Sequence, residues 1–432
     1  MKILIPTGTH PSKNSSGIVY IKNIVSNIEN SNCVWFFYES QKKEQGNEKF
    51  EEILNISDYN NALEVLEKIQ PDCVLANNNK YAVIDYSFCL AANFLNIPLI
   101  NYKVVDLSEF ESGRNLSQIK NNFLRNYQKI RLTDEITNKK RRSFIDFKNK
   151  FLFNTEKKIG KNNSVKMKSQ IENILFHLVG DPKKRFTDLA DLQLVNNEIW
   201  WQVLTNAGIN KKKMILTGNP YWDTLYQINK EKKFSKEPIS KKPIRILVLT
   251  TPILEHGHWT EDERREFFQK LINNLENQKD FEFAFKIHPS SEKIETYEGY
   301  LKKFGCNARI FQKEPFWDII DEFDIIISYG YTTTHSEIAL IGYRLILLET
   351  EQDFRKMPLI DSAMKSGFVK KCENLNELSK IILDTTREEI QFDKNHEKEI
   401  EKILYKFDGN SGKRAADAIK DIIKNHKSKF QN

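Results

Sequence analysis

The sequence predicts an α/β protein with two domains, each built on a parallel β-sheet whose two faces are covered by helices. Short apolar runs alternate with amphipathic stretches of about ten residues, which is the pattern of βαβ units. The chain has 432 residues, of which 40% are hydrophobic. That length exceeds one ordinary domain of about 100–200 residues and is sufficient for two hydrophobic cores.

In the first half of the chain, apolar runs predict strands and the periodic segments between them predict helices. The predicted strands are residues 2–6, 33–38, 72–76, 99–102, 174–179 and 214–217. The predicted helices are residues 18–28, 62–69, 86–95 and 196–207. Residues 115–170 interrupt this alternation with long polar and basic segments, which we predict to be a helical insertion.

A second alternating set follows a lysine-rich stretch. Its predicted strands are residues 245–250, 281–287, 325–328 and 345–348, and its predicted helices are residues 261–278, 316–323, 334–340, 375–383 and 412–424. We therefore expect an N-terminal domain at 1–228, a linker at 229–242 and a C-terminal domain at 243–407. The carboxyl ends of parallel strands bind ligands in such sheets, so polar residues there are the candidates for function.

The first polar strand end is residues 283–291, with the sequence Phe-Ala-Phe-Lys-Ile-His-Pro-Ser-Ser. The strand runs directly into a turn, so Lys286 and His288 lie at its carboxyl end and Pro289 restricts the backbone that follows. Imidazole, ammonium and hydroxyl groups that converge there would suit a phosphate oxygen. The alternative is a histidine that only caps the strand.

The second polar strand end is residues 324–337, where a strand is followed by a glycine turn and a hydroxyl-rich helix start. Hydroxyls and unpaired N–H groups at a helix N-terminus favour an anion. The alternative is a capping box, which explains one threonine and the glutamate but not the His-Pro turn upstream. The candidate ligands are Ser328, Gly330, Thr332, Thr333, Thr334 and Glu337.

These two segments, followed by Gly342 to Ile346, resemble the donor half of GT-B glycosyltransferases. They are most similar to bacterial sialyltransferases, polysialyltransferases and Kdo transferases that use CMP-sugars, and to CDP-glycerol polymerases. The resemblance implies that His288, Thr332 and Thr333 contact the nucleotide phosphate and that Glu337 binds the ribose. It also implies a fold of two Rossmann-like domains with parallel sheets facing an interdomain cleft.

Residues 207–223 resemble the end of a GT-B N-domain, and the same passage occurs in UDP-N-acetylglucosamine 2-epimerases, which share the fold. Two stretches depart from the epimerase pattern: residues 101–106 lack its His-x-Glu-Ala-Gly sequence, and residues 329–332 differ from its Ser-Gly-Gly turn. The resemblance also implies that the last helix, at 408–432, crosses back to the N-domain.

The loop after the first strand of the C-terminal domain often touches donor phosphates in such enzymes, which makes Thr250, Thr251, His256 and His258 candidates. An inverting transferase also needs a base from the N-terminal domain. The candidate bases at predicted strand ends are His10, Asp106, Glu109 and Asp181, and each could instead be a turn or cap residue.

No Asp-x-Asp motif follows a strand, so we expect no metal site, and no cofactor, since the nucleotide-sugar is a substrate. We therefore predict a transferase that moves a sugar from a CMP-linked donor, ahead of a UDP-linked one, to a cell-surface glycan or glycolipid. The rivals are a UDP-sugar 2-epimerase or hydrolase and a non-catalytic binding module of the same fold.

The net charge of +7 is concentrated in one segment. Residues 139–168 contain eleven Lys and Arg against Asp146 and Glu156, interleaved with aromatic residues. One interpretation is peripheral contact with an anionic membrane or glycan, and the other is a solvated helix whose aromatics pack on the N-terminal domain. We expect no nucleic-acid partner. The short first strand is unlike a signal peptide, so we expect a cytoplasmic protein, with peripheral location on the inner membrane face.

Overall fold

The computed structural model of the protein describes residues 1–12, 15–38, 52–77, 82–102, 135–160, 186–232, 238–255, 259–289, 291–330, 332, 334–349, 358–365, 367–390 and 394–428. These residues form two compact α/β units. The chain passes from unit 1 to unit 2 after Thr224 and returns to unit 1 at Lys402.

Unit 1 is built on a parallel sheet. Its strands are β1 Lys2–Thr7, β2 Asn32–Phe37, β3 Glu52–Asn55, β4 Cys73–Ala76, β5 Leu99–Asn101, β6 Leu192–Val195 and β7 Met214–Leu216. The helices of this part of the chain are α1 Ser16–Val25, α2 Ala62–Ile69, α3 Val83–Phe94, α4 Glu135–Lys158, α5 Glu198–Asn206 and α6 Tyr221–Lys232. The strand order is β3-β2-β1-β4-β5-β6-β7, and every neighbouring pair is parallel.

Unit 2 has a second parallel sheet. Its strands are β8 Ile244–Leu249, β9 Phe281–Lys286, β10 Arg309–Phe311, β11 Ile325–Tyr329, β12 Leu345–Leu348 and β13 Val369–Cys372, in the order β10-β9-β8-β11-β12-β13. The following helices are α7 Glu261–Glu276, α8 Ile294–Phe304, α9 Phe316–Ile319, α10 Thr334–Ile341, α11 Pro358–Lys365, α12 Leu378–Arg387, α13 Lys394–Leu404 and α14 Ser411–Ser428.

Helix α14 is the last helix and packs on unit 1. Its Ala415, Ala416 and Ile419 are fully buried in the same core as Ile3 and Ile18. The first amides of the helix, from Ser411 and Gly412, donate to the Asp223 carboxylate at 3.0 and 2.7 Å. A carboxylate at a helix N-terminus satisfies unpaired N–H groups and complements the helix dipole.

Helix α4 forms part of the predicted basic insertion, and its two halves differ. Phe151 is buried and packs against Phe36 and Phe88, with ring centroids 5.8 and 6.1 Å apart. Ile145 and Phe147, which precede Phe151 by six and four residues, are 42% and 38% exposed. The C-terminal half is therefore anchored in the core of unit 1, while the preceding turns carry exposed apolar side chains. Within the described ranges, no helix combines the length and apolar character that crossing a membrane requires.

The predicted α/β alternation is confirmed, with most strand and helix bounds within a few residues of those expected. Four strands were not predicted: β3, β6, β10 and β13. Three of these four are sheet edges. An edge strand is less deeply buried than a central one, so it lacks the apolar run that signals a strand; β13, for example, is Val-Lys-Lys-Cys. The predicted strand at 174–179 lies outside the described residues, and β6 occupies the sheet position between β5 and β7. The end of α6 extends into residues 229–232, which were predicted as linker.

Both sheets have a central reversal of strand order. Numbered within each unit, the order is 3-2-1-4-5-6-7 in unit 1 and 3-2-1-4-5-6 in unit 2. This is the doubly wound arrangement in which ligands bind beyond the carboxyl ends of strands 1 and 4. In unit 2 those strands are β8 and β11, and in unit 1 they are β1 and β4. The topology therefore points to one candidate ligand position in each unit.

Candidate functional site

The reversal point of unit 2 brings together the residues predicted from the two polar strand ends. Thr250 and Thr251 follow β8, and β8 is hydrogen-bonded to both β9 and β11. The other described candidates lie at the end of β9, the end of β11 and the start of α10: Lys286, His288, Pro289, Ser328, Gly330, Thr332, Thr334 and Glu337. Thr333 and His258, with His256, lie outside the described residues, so the following account is of the remaining candidates.

The His288 turn has a defined hydrogen-bond geometry. The Ser291 N–H donates to His288 Nδ1 at 3.1 Å, so Nδ1 is an acceptor and the neutral ring carries its proton on Nε2. Burial, reinforced by the nearby Lys286 ammonium, lowers the pKa of His288 and favours this neutral form. An Nε2–H at the carboxyl end of β9 is a suitable donor to a phosphate oxygen.

Glu292 closes this turn and was not predicted from the sequence. It is 4% exposed, and its Oε2 accepts the His288 N–H at 2.7 Å and the Thr250 hydroxyl. Its Oε1 accepts the Tyr297 hydroxyl from α8. Burial raises the pKa of the Glu292 carboxyl, and these three hydrogen bonds oppose that rise. An acid four residues after the histidine was the available signal, but sequence alone does not distinguish a buried acid from a solvated one.

Thr250 is hydrogen-bonded within the protein through its side chain. Its hydroxyl donates to Glu292 and its side chain is buried. Thr251 is similarly engaged, because its hydroxyl donates to the Tyr329 carbonyl at 2.6 Å. The two threonines therefore tie the end of β8 to the ends of its neighbours, with their hydroxyl protons committed to protein acceptors.

The Lys286 ammonium is directed toward the end of β10. It donates to the Gln312 carbonyl at 2.8 Å and to the Ile287 carbonyl at 3.3 Å. Burial lowers the pKa of Lys286, although Glu314 and Glu292 oppose this effect. Lys286 thus contributes positive charge near the turn while its hydrogen bonds join β9 to the segment after β10.

Gly330 forms the turn after β11 with a φ of +69°, which only glycine adopts without strain. A Cβ atom at this position would lie 3.0 Å from Ile253 Cδ1 and 3.1 Å from Thr251 Cγ2. The turn therefore brings the backbone of the β11 end directly against the loop after β8.

The start of α10 presents the hydroxyls that the sequence predicted. The Thr332 hydroxyl oxygen accepts from Thr334 N at 3.4 Å, and the two hydroxyl oxygens are also 3.4 Å apart. Both side chains are partly exposed, whereas Glu337, in the first turn of the helix, is buried. A helix N-terminus with two accessible hydroxyls attracts an anion through its N–H groups and dipole.

Ser328 lies beneath this surface. It is fully buried, and its hydroxyl is 2.8 Å from His335 Nε2 and 3.4 Å from the Leu249 carbonyl. Burial lowers the pKa of His335 to about 3, so its ring is neutral at physiological pH. Ser328 and His335 therefore connect β8, β11 and α10 from inside unit 2.

The loop after β8 is anchored by a buried arginine. Arg264 of α7 donates to Glu255 at 2.7 Å, to Glu261 at 2.6 Å and to the Tyr300 hydroxyl at 3.1 Å. The ion pair therefore holds Glu255, in the loop after β8, against the start of α7.

In unit 1, His10 follows β1 at the corresponding reversal point. Its Nδ1 is 2.7 Å from the Ser12 hydroxyl, and its ring makes an edge contact with Phe37 at 5.4 Å. The other candidate bases, Asp106, Glu109 and Asp181, lie outside the described residues. Among the residues that are described, no group of three His, Cys, Asp or Glu side chains is arranged to hold a metal ion.

Asp85 is a second buried acid that sequence reasoning missed. It lies in the first turn of α3 and accepts the Tyr38 hydroxyl at 2.9 Å and the Asn77 N–H, which follows β4, at 3.1 Å. Burial raises the pKa of Asp85 to about 6. The carboxyl end of the unit 1 sheet therefore also contains an acid that joins the ends of two strands.

No protein-family model matches the sequence, and no curated protein matches it either. Solved structures match over nearly its whole length at low identity. UDP-GlcNAc 2-epimerase from Methanocaldococcus jannaschii is 14% identical, with a TM-score of 0.52 over 97% of this chain and 99% of its own. UDP-GlcNAc 2-epimerase from Neisseria meningitidis, bound to UDP-GlcNAc, is 16% identical. Its TM-score is 0.51, and the match covers 97% of this chain and 99% of the epimerase chain.

The wall teichoic acid polymerase TagF, whose structure was determined with CDPG, is 11% identical, with a TM-score of 0.50 over 98% of this chain and 89% of its own. At these identities the likeness concerns the fold. The predicted GT-B architecture, with its similarity to UDP-GlcNAc 2-epimerases, is confirmed.

Proposed function

We propose that this protein is a GT-B nucleotide-sugar enzyme that binds the nucleotide of its donor in unit 2. The observation that carries the proposal is the convergence of the His288 turn, Gly330, Thr332 and Thr334 at the strand reversal point. An imidazole N–H, two hydroxyls and a helix N-terminus suit a phosphate group.

The reaction we propose is glycosyl transfer, with a CMP-linked donor ahead of a UDP-linked one and a cell-surface glycan or glycolipid as acceptor. The bond between the anomeric carbon and the donor phosphate breaks, and the acceptor oxygen bonds to that carbon. His288 and the α10 N-terminus stabilise the negative charge left on the phosphate. The acceptor hydroxyl gives its proton to a base, for which His10, Asp106 and Asp181 are the candidates.

Calorimetric titration of the full chain with CMP, CDP, UMP and UDP tests this proposal. We expect one nucleotide to bind and His288→Ala to weaken it about 10- to 100-fold, the range for losing a hydrogen bond to a charged group. His426→Ala, on α14 of unit 1, is the matched control and should bind like the unmodified protein. Failure of all four nucleotides to bind, or full affinity in His288→Ala, would contradict the proposal.

A sugar-nucleotide epimerase or hydrolase is the second candidate, favoured by the fold shared with the two UDP-GlcNAc 2-epimerases. Such an enzyme converts its donor without an acceptor. Incubation with UDP-GlcNAc alone, followed by product analysis, therefore separates the two reactions. The non-enzymatic rival, a GT-B binding module, would bind nucleotide but show no turnover with any donor or acceptor.

We further propose that the basic segment 139–168 contacts an anionic membrane surface from the cytoplasmic side. Helix α4 supports this, because Phe151 anchors it in unit 1 while Ile145 and Phe147 are exposed beside cationic side chains. Sedimentation with phosphatidylcholine vesicles, with and without phosphatidylglycerol, should show binding only to the anionic vesicles. The double variant Ile145→Ser, Phe147→Ser should reduce it. Binding to anionic glycan but not to vesicles would instead favour an acceptor site.

A further inference from the structure

We propose that Glu292 is a positioning residue of the nucleotide site, which holds His288 in the orientation and tautomer that present Nε2–H to a phosphate. The inference rests on the proposed nucleotide site in unit 2. It assigns a task to a buried acid that neither the motif resemblance nor the strand-end pattern singled out.

The carboxylate of Glu292 joins three separate elements. It accepts a backbone N–H from His288 after β9, a hydroxyl from Thr250 after β8 and a hydroxyl from Tyr297 on α8. The backbone of Glu292 is held as well, because Gln312 Nε2 donates to its carbonyl at 2.8 Å. Both the main chain and the side chain of Glu292 are therefore fixed.

These contacts need an acceptor that can take several donors at once. An ionised carboxylate has only acceptor sites, and two oxygens can receive the three donors that point at it. Shortening the side chain would leave the His288 N–H without this acceptor, and a buried unpaired N–H group is unfavourable. The turn would then move to find another partner.

The orientation of His288 depends on that turn. Glu292 fixes the His288 backbone N–H, and the same short turn places Ser291 N–H 3.1 Å from His288 Nδ1. Since the Ser291 N–H can only donate, Nδ1 must accept, and the proton of the neutral ring is confined to Nε2. Movement of the turn would release Nδ1 and allow the other tautomer.

The same contacts engage the Thr250 hydroxyl within the protein. Its hydroxyl proton is given to Glu292, so it supports the carboxylate instead of donating to a phosphate. The ligand-facing donor at this end of β8 and β9 is then His288. In this proposal His288 contacts the nucleotide, and Thr250 supports the Glu292 carboxylate.

A set of variants separates positioning from a general role in folding. In Glu292→Gln, the amide oxygen can accept from His288 and Thr250 while the amide nitrogen donates to the Tyr297 oxygen, so the turn should persist. Glu292→Ala removes the acceptor, and Glu292→Asp withdraws it by one methylene. Glu298→Ala, at an exposed position on α8, is the matched control.

The test combines two measurements on the folded full chain. The ring ¹⁵N and ¹³C shifts of labelled histidine, with the His288 signals assigned by His288→Gln, report the tautomer without any nucleotide. Calorimetry with CMP, CDP, UMP and UDP reports binding. We expect the Nε2–H tautomer in the unmodified protein, Glu292→Gln and Glu298→Ala, with affinities within about 3-fold of one another.

Glu292→Ala should show both tautomers and bind at least about 10-fold more weakly. If Glu292→Ala does not fold, Glu292→Asp should show the same loss in smaller degree. An unchanged tautomer and affinity in whichever of these variants folds would overturn the inference. If the unmodified protein binds none of the nucleotides, the proposed function fails while the tautomer still tests the role of Glu292.

Discussion

Both units have a buried acid near the carboxyl ends of their strands, but the side chains around it differ between the two units. In unit 2, Glu292 accepts a backbone N–H from the end of β9 and a tyrosine hydroxyl. In unit 1, Asp85 accepts a backbone N–H that follows β4 and the Tyr38 hydroxyl. Each acid is buried, and burial raises the pKa of each. The same fold therefore uses an acid to fix strand ends in both units.

The surroundings assign different chemistry to the two positions. Glu292 lies in the turn of the His288 imidazole, and the hydroxyls at the start of α10 follow β11 of the same sheet. These groups suit an anion. Beside Asp85 is the Tyr38 ring, which lies against Gly8 after β1, with a carbon 3.2 Å from where a Gly8 Cβ atom would be. The scaffold therefore sets where a ligand can bind, while the side chains at the reversal point set which ligand it is.

The largest effect we expect comes from adding a methyl group at the two turns. Gly330→Ala should destabilise unit 2 by about 2–4 kcal/mol, because alanine disfavours the positive φ and its Cβ meets Ile253 and Thr251. Gly8→Ala should cost about 1 kcal/mol or less, since the atoms nearest to its Cβ belong to the Tyr38 side chain, which can move slightly. Urea unfolding measures both. An equal decrease in the free energy of unfolding for the two variants would contradict this prediction, because it would show that the two turns are equally constrained.

The second effect is acid sensitivity from His335 in unit 2. Its folded pKa of about 3 lies below the unfolded value of 6.5, so the unfolded chain binds the proton first as pH falls. The stability that the neutral His335 ring contributes is therefore fully present above pH 6.5 and declines below it. The free energy of unfolding should fall by about 2 kcal/mol between pH 7 and pH 5. His335→Gln lacks this loss, so its stability relative to the unmodified protein should improve over that range. A constant difference from pH 7 to pH 5 would contradict the buried neutral histidine.

The smallest effect has the opposite sign and comes from Asp85 in unit 1. Its folded pKa of about 6 lies above the ordinary value of 3.8 in the unfolded chain. The stability that the protonated carboxyl contributes is therefore fully present below pH 3.8 and is lost as pH rises through 6. Ionisation of Asp85 should lower the free energy of unfolding by about 1 kcal/mol between pH 5 and pH 8. Asp85→Asn does not ionise, and its amide can donate to the Tyr38 oxygen while its carbonyl accepts from Asn77. Its stability relative to the unmodified protein should therefore improve toward pH 8, and a worsening there would refute the assignment.

Local pattern was sufficient for much of the fold. Most central strands, such as β12, were predictable because they are continuous apolar runs. The central strand β6, Leu-Gln-Leu-Val, was missed because a glutamine interrupts its short apolar run, and the edge strand β13 was missed because two of its four residues are lysines. The candidate site was predictable in placement only. His288 and Thr332 follow strands in the structure, as the sequence predicted. The binding or catalytic roles of His288, Thr332, Thr333, Asp106 and Asp181 all remain predictions.

By itself, the sequence determined that the chain forms two parallel α/β units with polar groups at the ends of particular strands. Those features depend on neighbours within a few residues, which hydrophobic periodicity and turn residues report. Only the tertiary structure decided that Thr250 donates to Glu292, 42 residues away. The order of strands brings such distant residues together, and burial in that arrangement, not residue type, decides which acid becomes a structural acceptor.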